Sequence, residues 1–287
     1  MKLRSYIWIF ILFRSTTSVA QTNPSPQSLP YSQNFSTLAA ASTTYPAGWQ
    51  GWQLSGAGSL GGGTFRTTAP TADLALTASS TAATVGGGVH NFNGKIGVLE
   101  TGTSDPAICL AISTTSYVSI TVTYDAMTIR NPYNGTTNTR INRFGLQYRV
   151  GVAGAFTNIS GTEYRNNTTS QTAGTTPQNS ITETVTLPAA CDNQAIVQLR
   201  WIAADSSGTG SRPSFAVDNI SISTCTGVTT NYYYRSFQTG NWNTAFTWEA
   251  SPNGVTGWIT ACTPPTSAAA GVTIQSGHTV TIDANSS

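Results

Sequence analysis

Two stretches of this chain alternate apolar and polar residues at nearly every step, and a period of two marks a half-buried β-strand. From Tyr117 to Ile129, Val118, Ile120, Val122, Tyr124 and Ala126 share one face. Ser119, Thr121, Thr123 and Asp125 share the other. From Arg143 to Val152, Phe144, Leu146, Tyr148, Val150 and Val152 point one way, and Arg143, Gln147 and Arg149 the other. Residues 181–187, 195–204 and 214–223 read as further strands, and no run follows the helical period. Charged residues are only 8% of the chain, against a usual ~25%. That excludes a coiled coil, a charge-rich helical bundle and a polyelectrolyte tail. Ser and Thr supply 79 of the 287 residues. About ten short strands between Tyr31 and Cys225 predict an all-β fold, a two-sheet sandwich of jelly-roll type.

The organisation follows from composition. Residues 1–20 read as a secretory signal: Lys2 and Arg4 form the basic start, Tyr6 to Phe13 the apolar core, and Ser18-Val19-Ala20 the cleavage site. That core is too short to span a bilayer, which takes about 20 residues. Residues 21–30 are a Pro/Ser linker, 31–225 the sandwich, 226–234 a second linker and 235–287 a second unit. The second unit shows two short strands, 272–274 and 280–282, too few to bury a core. It reads as the incomplete start of a longer product. Without residues 1–20, ten bases face 11 acids. Scattered bases make a poor phosphate footprint, so no nucleic-acid partner is expected. No later apolar run is long enough for a membrane helix, and the chain is expected outside the cell.

Catalytic patterns are missing. His90 and His278 fall in different units, and no G-x-S-x-G, H-E-x-x-H or phosphate-cradling loop occurs. No sequence feature pairs two of the 11 acids. The four cysteines have no zinc spacing. Cys191 and Cys225 lie 17 residues either side of Gly208, in an expected hairpin loop, which makes them the candidate disulfide. Connectivity does not follow from spacing alone. Cys109 reads as a buried thiol, and Cys262 belongs to the second unit.

The ligand candidates are planar and polar. Arg143, Gln147 and Arg149 line one strand's polar face, and Gln198 and Arg200 line another's. If these strands are neighbours, they form a shallow arginine–glutamine face suited to an oligosaccharide or acidic polymer; the alternative is an ordinary solvated face. Trp49, Trp52, Tyr133, Tyr164 and Arg165 are further candidates, whereas Trp201 reads as core. Asp218 shares parity with Ala216, Ile220 and Ile222, so it is expected to be partly buried and to need a charge or metal partner. Arg212 or Arg200 would be the charge, unless the carboxylate caps backbone amides instead. Residues 131–140 and 160–180 form long polar loops, often binding or disordered segments.

Several phrases carry a resemblance: VHNFNG (89–94), IGVLETGTSD (96–105), VSITVTYDAMTIRN (118–131), FGLQYR (144–149) and VQLRWIAADSSGTGSRPSFAVDNISIS (197–223). Together they resemble the jelly-roll, carbohydrate-binding or MAM-like N-terminal module of large secreted bacterial surface proteins. In such modules an Asp near the last strand often helps hold a structural Ca2+. The resemblance therefore implies calcium at Asp218, with Asn34 of the first strand as a second ligand. GNWNTAFTWEA (240–250) and VTIQSGHTVTID (272–283) resemble the entry to a β-helix of the eight-glycine kind. The expected function is a secreted, non-catalytic binding or adhesion module for glycan or another extracellular polymer. The alternatives are an accessory domain of a secreted hydrolase or nuclease, and a structural spacer in an adhesin.

Overall fold

A computed structural model describes residues 21–54, 63–79, 86–166, 177–226 and 231–282. The expected signal segment, 1–20, lies outside the described residues. In chain order the first strands are β1 (Tyr31–Gln33), β2 (Trp49–Leu54), β3 (Pro70–Leu74), β4 (Leu76–Ala78), β5 (Gly88–Asn91) and β6 (Ile96–Leu99). Next come β7 (Pro106–Ile112), β8 (Tyr117–Arg130), β9 (Ile141–Val150), β10 (Thr157–Asn158) and β11 (Tyr164–Arg165). β12 (Gln178–Thr186), β13 (Val197–Ser207) and β14 (Ser214–Thr226) follow. They form two seven-stranded sheets. One runs β10-β9-β13-β7-β2-β3, with β11 also on β9; the other runs β12-β8-β14-β6-β5-β4, with β1 also on β14. From β6 onward the chain repeatedly crosses between the two sheets, as a jelly roll requires.

Period-two alternation builds the core directly. Phe144, Leu146, Leu199, Trp201, Ile108 and Leu110 of one sheet meet Ile120, Val122, Tyr124, Phe215 and Val217 of the other, all buried. Trp201 stacks on Trp49 at 5.6 Å and takes Tyr124 edge-on at 5.4 Å. Phe144 stacks on Phe215 at 5.3 Å. Offset and edge-on pairs of this kind add about 0.5–1.5 kcal/mol each beyond burial. The alternation overreaches at one end: Val150 and Val152 are exposed, because β9 stops at Val150 and the chain turns at Gly151.

The expected hairpin around Gly208 is not formed. β13 pairs with β7 and β9, and β14 with β1, β6 and β8. The loop therefore passes from one sheet to the other. Gly208 takes φ +75°, and a Cβ there would stand 1.9 Å from the Thr139 carbonyl oxygen, so only glycine fits. The expected Cys191–Cys225 bridge loses its premise, and Cys191 is a buried, free thiol. Burial raises its pKa to about 12. Cys109 is buried on β7.

The two outer faces differ. On β8, β12 and β14 short polar side chains face outward, and hydroxyls meet across strands: Thr121 with Thr186 at 3.4 Å and Thr123 with Thr184 at 3.1 Å. The outer face of the β9 sheet carries a second buried layer, in which Trp52, Cys109 and Phe156 pack together and Leu54, Ala107 and Ile202 pack beside Phe65.

The second unit comprises β15 (Tyr233–Ser236), β16 (Gly240–Asn241), β17 (Trp248–Ser251), β18 (Ile259–Thr260), β19 (Gly271–Thr273) and β20 (Val280–Thr281). β15 and β19 pair in parallel, as do β16 and β20. A small core of Tyr234, Trp248, Ala250 and Ala261 forms beneath them, with Trp242 edge-on to Trp248 at 4.9 Å. His278 is a structural residue here, its Nδ1 lying 3.0 Å from Ser236 Oγ.

Candidate functional site

Neighbouring strands do bring the arginine–glutamine residues together. β13 runs antiparallel to β9, with Gln198 opposite Arg149 and Arg200 opposite Gln147. They make no open face. Gln147, Gln198 and Arg200 are fully buried and Arg149 is 3% exposed. The cover comes from segments far apart in sequence, near residues 23, 66–68 and 154–158. Arg200 donates from Nε and Nη2 to Gln147 Oε1, from Nη1 to the Thr68 carbonyl at 3.0 Å, and from Nη2 to the Arg66 carbonyl at 2.9 Å. Arg149 donates from Nε to Gln198 Oε1 at 2.6 Å, and from Nη1 to the Gly154 carbonyl at 3.0 Å. Both guanidiniums lie near the Phe156 ring, Arg200 at 3.8 Å and Arg149 at 4.5 Å from its centroid. Neither joins a salt bridge among the described residues. Burial lowers the Arg200 pKa to about 9 and lowers that of Arg149. These four residues therefore hold loops onto the sheet and are closed to a polymer.

Arg143 stands apart. β10 and β11 both pair with β9, placing Asn158 opposite Gln147 and Arg165 opposite Arg143. Between them residues 159–163 arch away from the strand. Thr162 Oγ1 holds the arch by accepting the Leu146 amide at 3.2 Å and donating to the Ile159 carbonyl at 2.8 Å. A cleft of about 230 Å³ opens there, lined by Gly63, Phe65, Arg143, Asn158, Ser160 and Glu163 among others. Arg143 Nη1 donates to Glu163 Oε2 at 2.8 Å, and Arg165 Nε to Glu163 Oε1 at 2.8 Å. The guanidinium lies 5.1 Å from the Phe65 ring centroid. Its Nε and Nη2 are buried and have no hydrogen-bond partner among the described residues. An unmet buried donor costs about 1–3 kcal/mol, more when charged. Phe65 can lie against the sheet because β9 carries Gly145 at that point; a Cβ there would stand 2.7 Å from the ring. Sequence reading missed Phe65 and Glu163. A glycine inside an otherwise well-patterned strand was the available signal, since it marks close approach by another group.

The other candidates fall elsewhere. Trp49 and Trp52 are 3% and 0% exposed, so neither is a ring platform. Tyr164 is buried in β11, with its hydroxyl 2.9 Å from Thr128 Oγ1. Tyr133 is partly buried in the 131–140 loop. His90 is buried on β5, with Nδ1 2.7 Å from Ser79 Oγ, and burial lowers its pKa.

Asp218 is partly buried, as its parity predicts, and a bulge sets it at the edge of the core. Asn219 takes φ +50°, and the β14–β8 register shifts between Asp218 and Ser221. The shift lets Phe215, Val217, Ile220 and Ile222 all face the core, leaving Asp218 at its margin. Asp218 accepts the Asn219 amide at 2.8 Å, and Arg212 and Arg200 are both engaged elsewhere. Partial burial raises its pKa. Asn34 Oδ1 accepts from Ser36 N and Oγ, and Asp125 from Thr182 Oγ1 and Asn219 Nδ2. These oxygens fall short of the six to eight that calcium takes. Among the described residues no group of three or more His, Cys, Asp or Glu is placed to hold a metal. Melting curves in excess Ca2+ and in EDTA test the calcium expectation: a rise with Ca2+ that Asp218→Ala abolishes would support the metal, and coincident curves would remove it.

The structure pairs two acids that the sequence left separate. Glu100, just after β6, meets Asp205 of β13. Asn142 Nδ2 donates to Glu100 Oε1. Arg212 grips Asp205 from Nε at 3.1 Å and Nη2 at 2.9 Å, and Arg140 Nη1 donates to it at 2.8 Å. Burial and the neighbouring Asp205 raise the Glu100 pKa well above the usual range. Burial alone would raise Asp205, but Glu100 and the two arginines hold it low. Both shifts favour a protonated Glu100 beside an ionised Asp205. A glycosidase needs its carboxyl groups about 5–9.5 Å apart around a sugar, so this contact pair does not suit one.

No family model matches the sequence, and no curated protein matches it. Among the described residues no helix is long and apolar enough to cross a membrane. Solved structures with a similar arrangement include the K3 cleaved adhesin domain of Lys-gingipain from Porphyromonas gingivalis, 14% identical, at a TM-score of 0.36. The match covers 67% of this chain and 97% of that one. A carbohydrate-binding module specific for non-crystalline cellulose is 12% identical at 0.32, over 51% of this chain and 85% of that one. The CBM22-1 xylan-binding domain from Paenibacillus barcinonensis Xyn10C is 10% identical at 0.29, over 68% and 92%.

Proposed function

We propose that this chain is a secreted, non-catalytic binding module that holds an extracellular glycan in the Arg143 cleft. The observation that carries this reading is the cleft itself. Of the five arginine and glutamine candidates, Arg143 lines an open cavity among the described residues, beside an aromatic ring and short polar groups. Ring faces and directed hydrogen bonds are what a sugar offers partners for. The basic and apolar N-terminus supports export. The parallel pairs β15–β19 and β16–β20 support reading the second unit as β-helix-like.

A glycan array with the purified chain and Ser160→Trp tests the cleft. Ser160 is exposed on the arch, so tryptophan fills the opening while Arg143 keeps its partners. Binding in the parent that the variant loses, at an unchanged melting temperature, is the expected result. Binding that persists in Ser160→Trp would place the ligand elsewhere. No binding to any glycan would favour the spacer role.

A further inference from the structure

The Arg143 cleft has a charge balance and a set of unmet donors that narrow its ligand. Arg143 spends Nη1 on Glu163 and leaves Nε and Nη2 without partners among the described residues. Those two nitrogens form the side-on edge of a guanidinium, whose parallel N–H groups match the two oxygens of a carboxylate. Arg165 shares Glu163, so two cations stand against one anion at the cleft. Arg165 is 54% exposed, which leaves its charge open to solvent and to an approaching anion. A neutral sugar would meet neither the excess charge nor the fork.

We propose that the cleft selects a uronic-acid residue of an extracellular polysaccharide, whose carboxylate takes the Nε–Nη2 edge of Arg143. This rests on the reading of the cleft as a glycan site. The edge is buried beside the Gly63–Phe65 segment, and a Cβ on Gly63 would lie 4.0 Å from Nη2. The ligand therefore reaches it by displacing the Phe65 ring, and the sugar's apolar face takes the ring's place against the guanidinium or lies on the shifted ring. Asn158 and Ser160 line the rest of the cleft and supply amide and hydroxyl groups for the sugar hydroxyls. Glu163 stays on Nη1 and Arg165, fixing the guanidinium plane and repelling a second carboxylate. One acidic residue at a time is accepted, with its neighbours along the chain left outside.

Isothermal titration with oligogalacturonate and with mannuronate and guluronate oligomers tests this. The fully methyl-esterified oligogalacturonate is the control, since it keeps the sugar and removes the charge. Xylo- and cello-oligosaccharides complete the panel. At least one acidic oligomer should bind, about tenfold or more tighter than the ester or the neutral oligomers, and more weakly as salt rises. Arg143→Gln should lose that margin while melting with the parent. Equal affinity for acid and ester, or full acid binding by Arg143→Gln, overturns the uronate assignment. If Ser160→Trp still abolishes that binding, the cleft reading survives. Binding to nothing in the panel overturns the uronate assignment, and a glycan array that is also blank removes the cleft reading with it.

Discussion

Arg200→Ala is expected to lower the melting temperature by about 10 °C, as measured by calorimetry, although Arg200 looks from sequence like a surface ligand residue. Removing it withdraws its donors from Gln147 Oε1 and from the Thr68 and Arg66 carbonyls in a buried site, leaving the Arg66 carbonyl with Gln147 Nε2. It also opens a void where the guanidinium covers Phe156 at 3.8 Å. Truncating a buried, hydrogen-bonded charge costs about 3–5 kcal/mol. In a domain of this size each kcal/mol moves the midpoint by about 2–4 °C. Arg200→Lys should recover little, because an ammonium cannot reproduce the planar fork that meets a side-chain amide and two carbonyls. Arg143→Gln should shift the midpoint by less than about 2 °C, since a partly exposed ion pair contributes ~0–1 kcal/mol. A parent-like melt for Arg200→Ala would mean that the covering segments hold without the network.

Glu100→Gln is expected to stabilise the protein at alkaline pH and to change it little near pH 4. The folded-state pKa of Glu100 is raised, so folding favours its protonated form. Below the unfolded pKa, near 4.5, Glu100 is neutral in both states and costs nothing. As pH rises above that value the unfolded chain releases the proton while the folded chain keeps it. Stability then falls by up to about 1.4 kcal/mol per pH unit, until pH passes the folded pKa. Asp205 works in the opposite sense and further down: its pKa is lowered, so its contribution is lost as pH falls through that range. Glutamine keeps an N–H for Asp205 and a carbonyl for Asn142 and has no proton to lose. The two melting curves should therefore separate progressively as pH rises above about 5. Curves that stay parallel would show that Glu100 is ionised in the folded protein.

Much of the architecture was legible because alternation reports burial directly. In β8 and β9 the apolar parity is the core parity, and the sandwich follows once each strand must bury one face. Polar parity on β9 and β13 also falls on one face of the sheet. Sequence could not show that this face is roofed. The roof comes from residues near 23, 66 and 154, brought over the sheet only by the crossings between layers. A polar residue on a strand looks the same whether water or a carbonyl meets it. Parity fails too where the backbone slips: the bulge at Asn219 sets Asp218 at the edge of the core, and a single left-handed residue leaves no trace in a hydrophobic pattern.

The symmetric placing of Cys191 and Cys225 about Gly208 failed for a related reason. Spacing along the chain describes a hairpin only when consecutive strands pair, and in a jelly roll β13 and β14 belong to opposite sheets. By itself the sequence determined the β class, the core residues of the long strands and the scarcity of catalytic groups, because these depend on local periodicity and composition. Tertiary structure alone decided which arginines are buried, which acids meet and where a cleft stays open. Those outcomes depend on groups far apart in the chain meeting within hydrogen-bond reach.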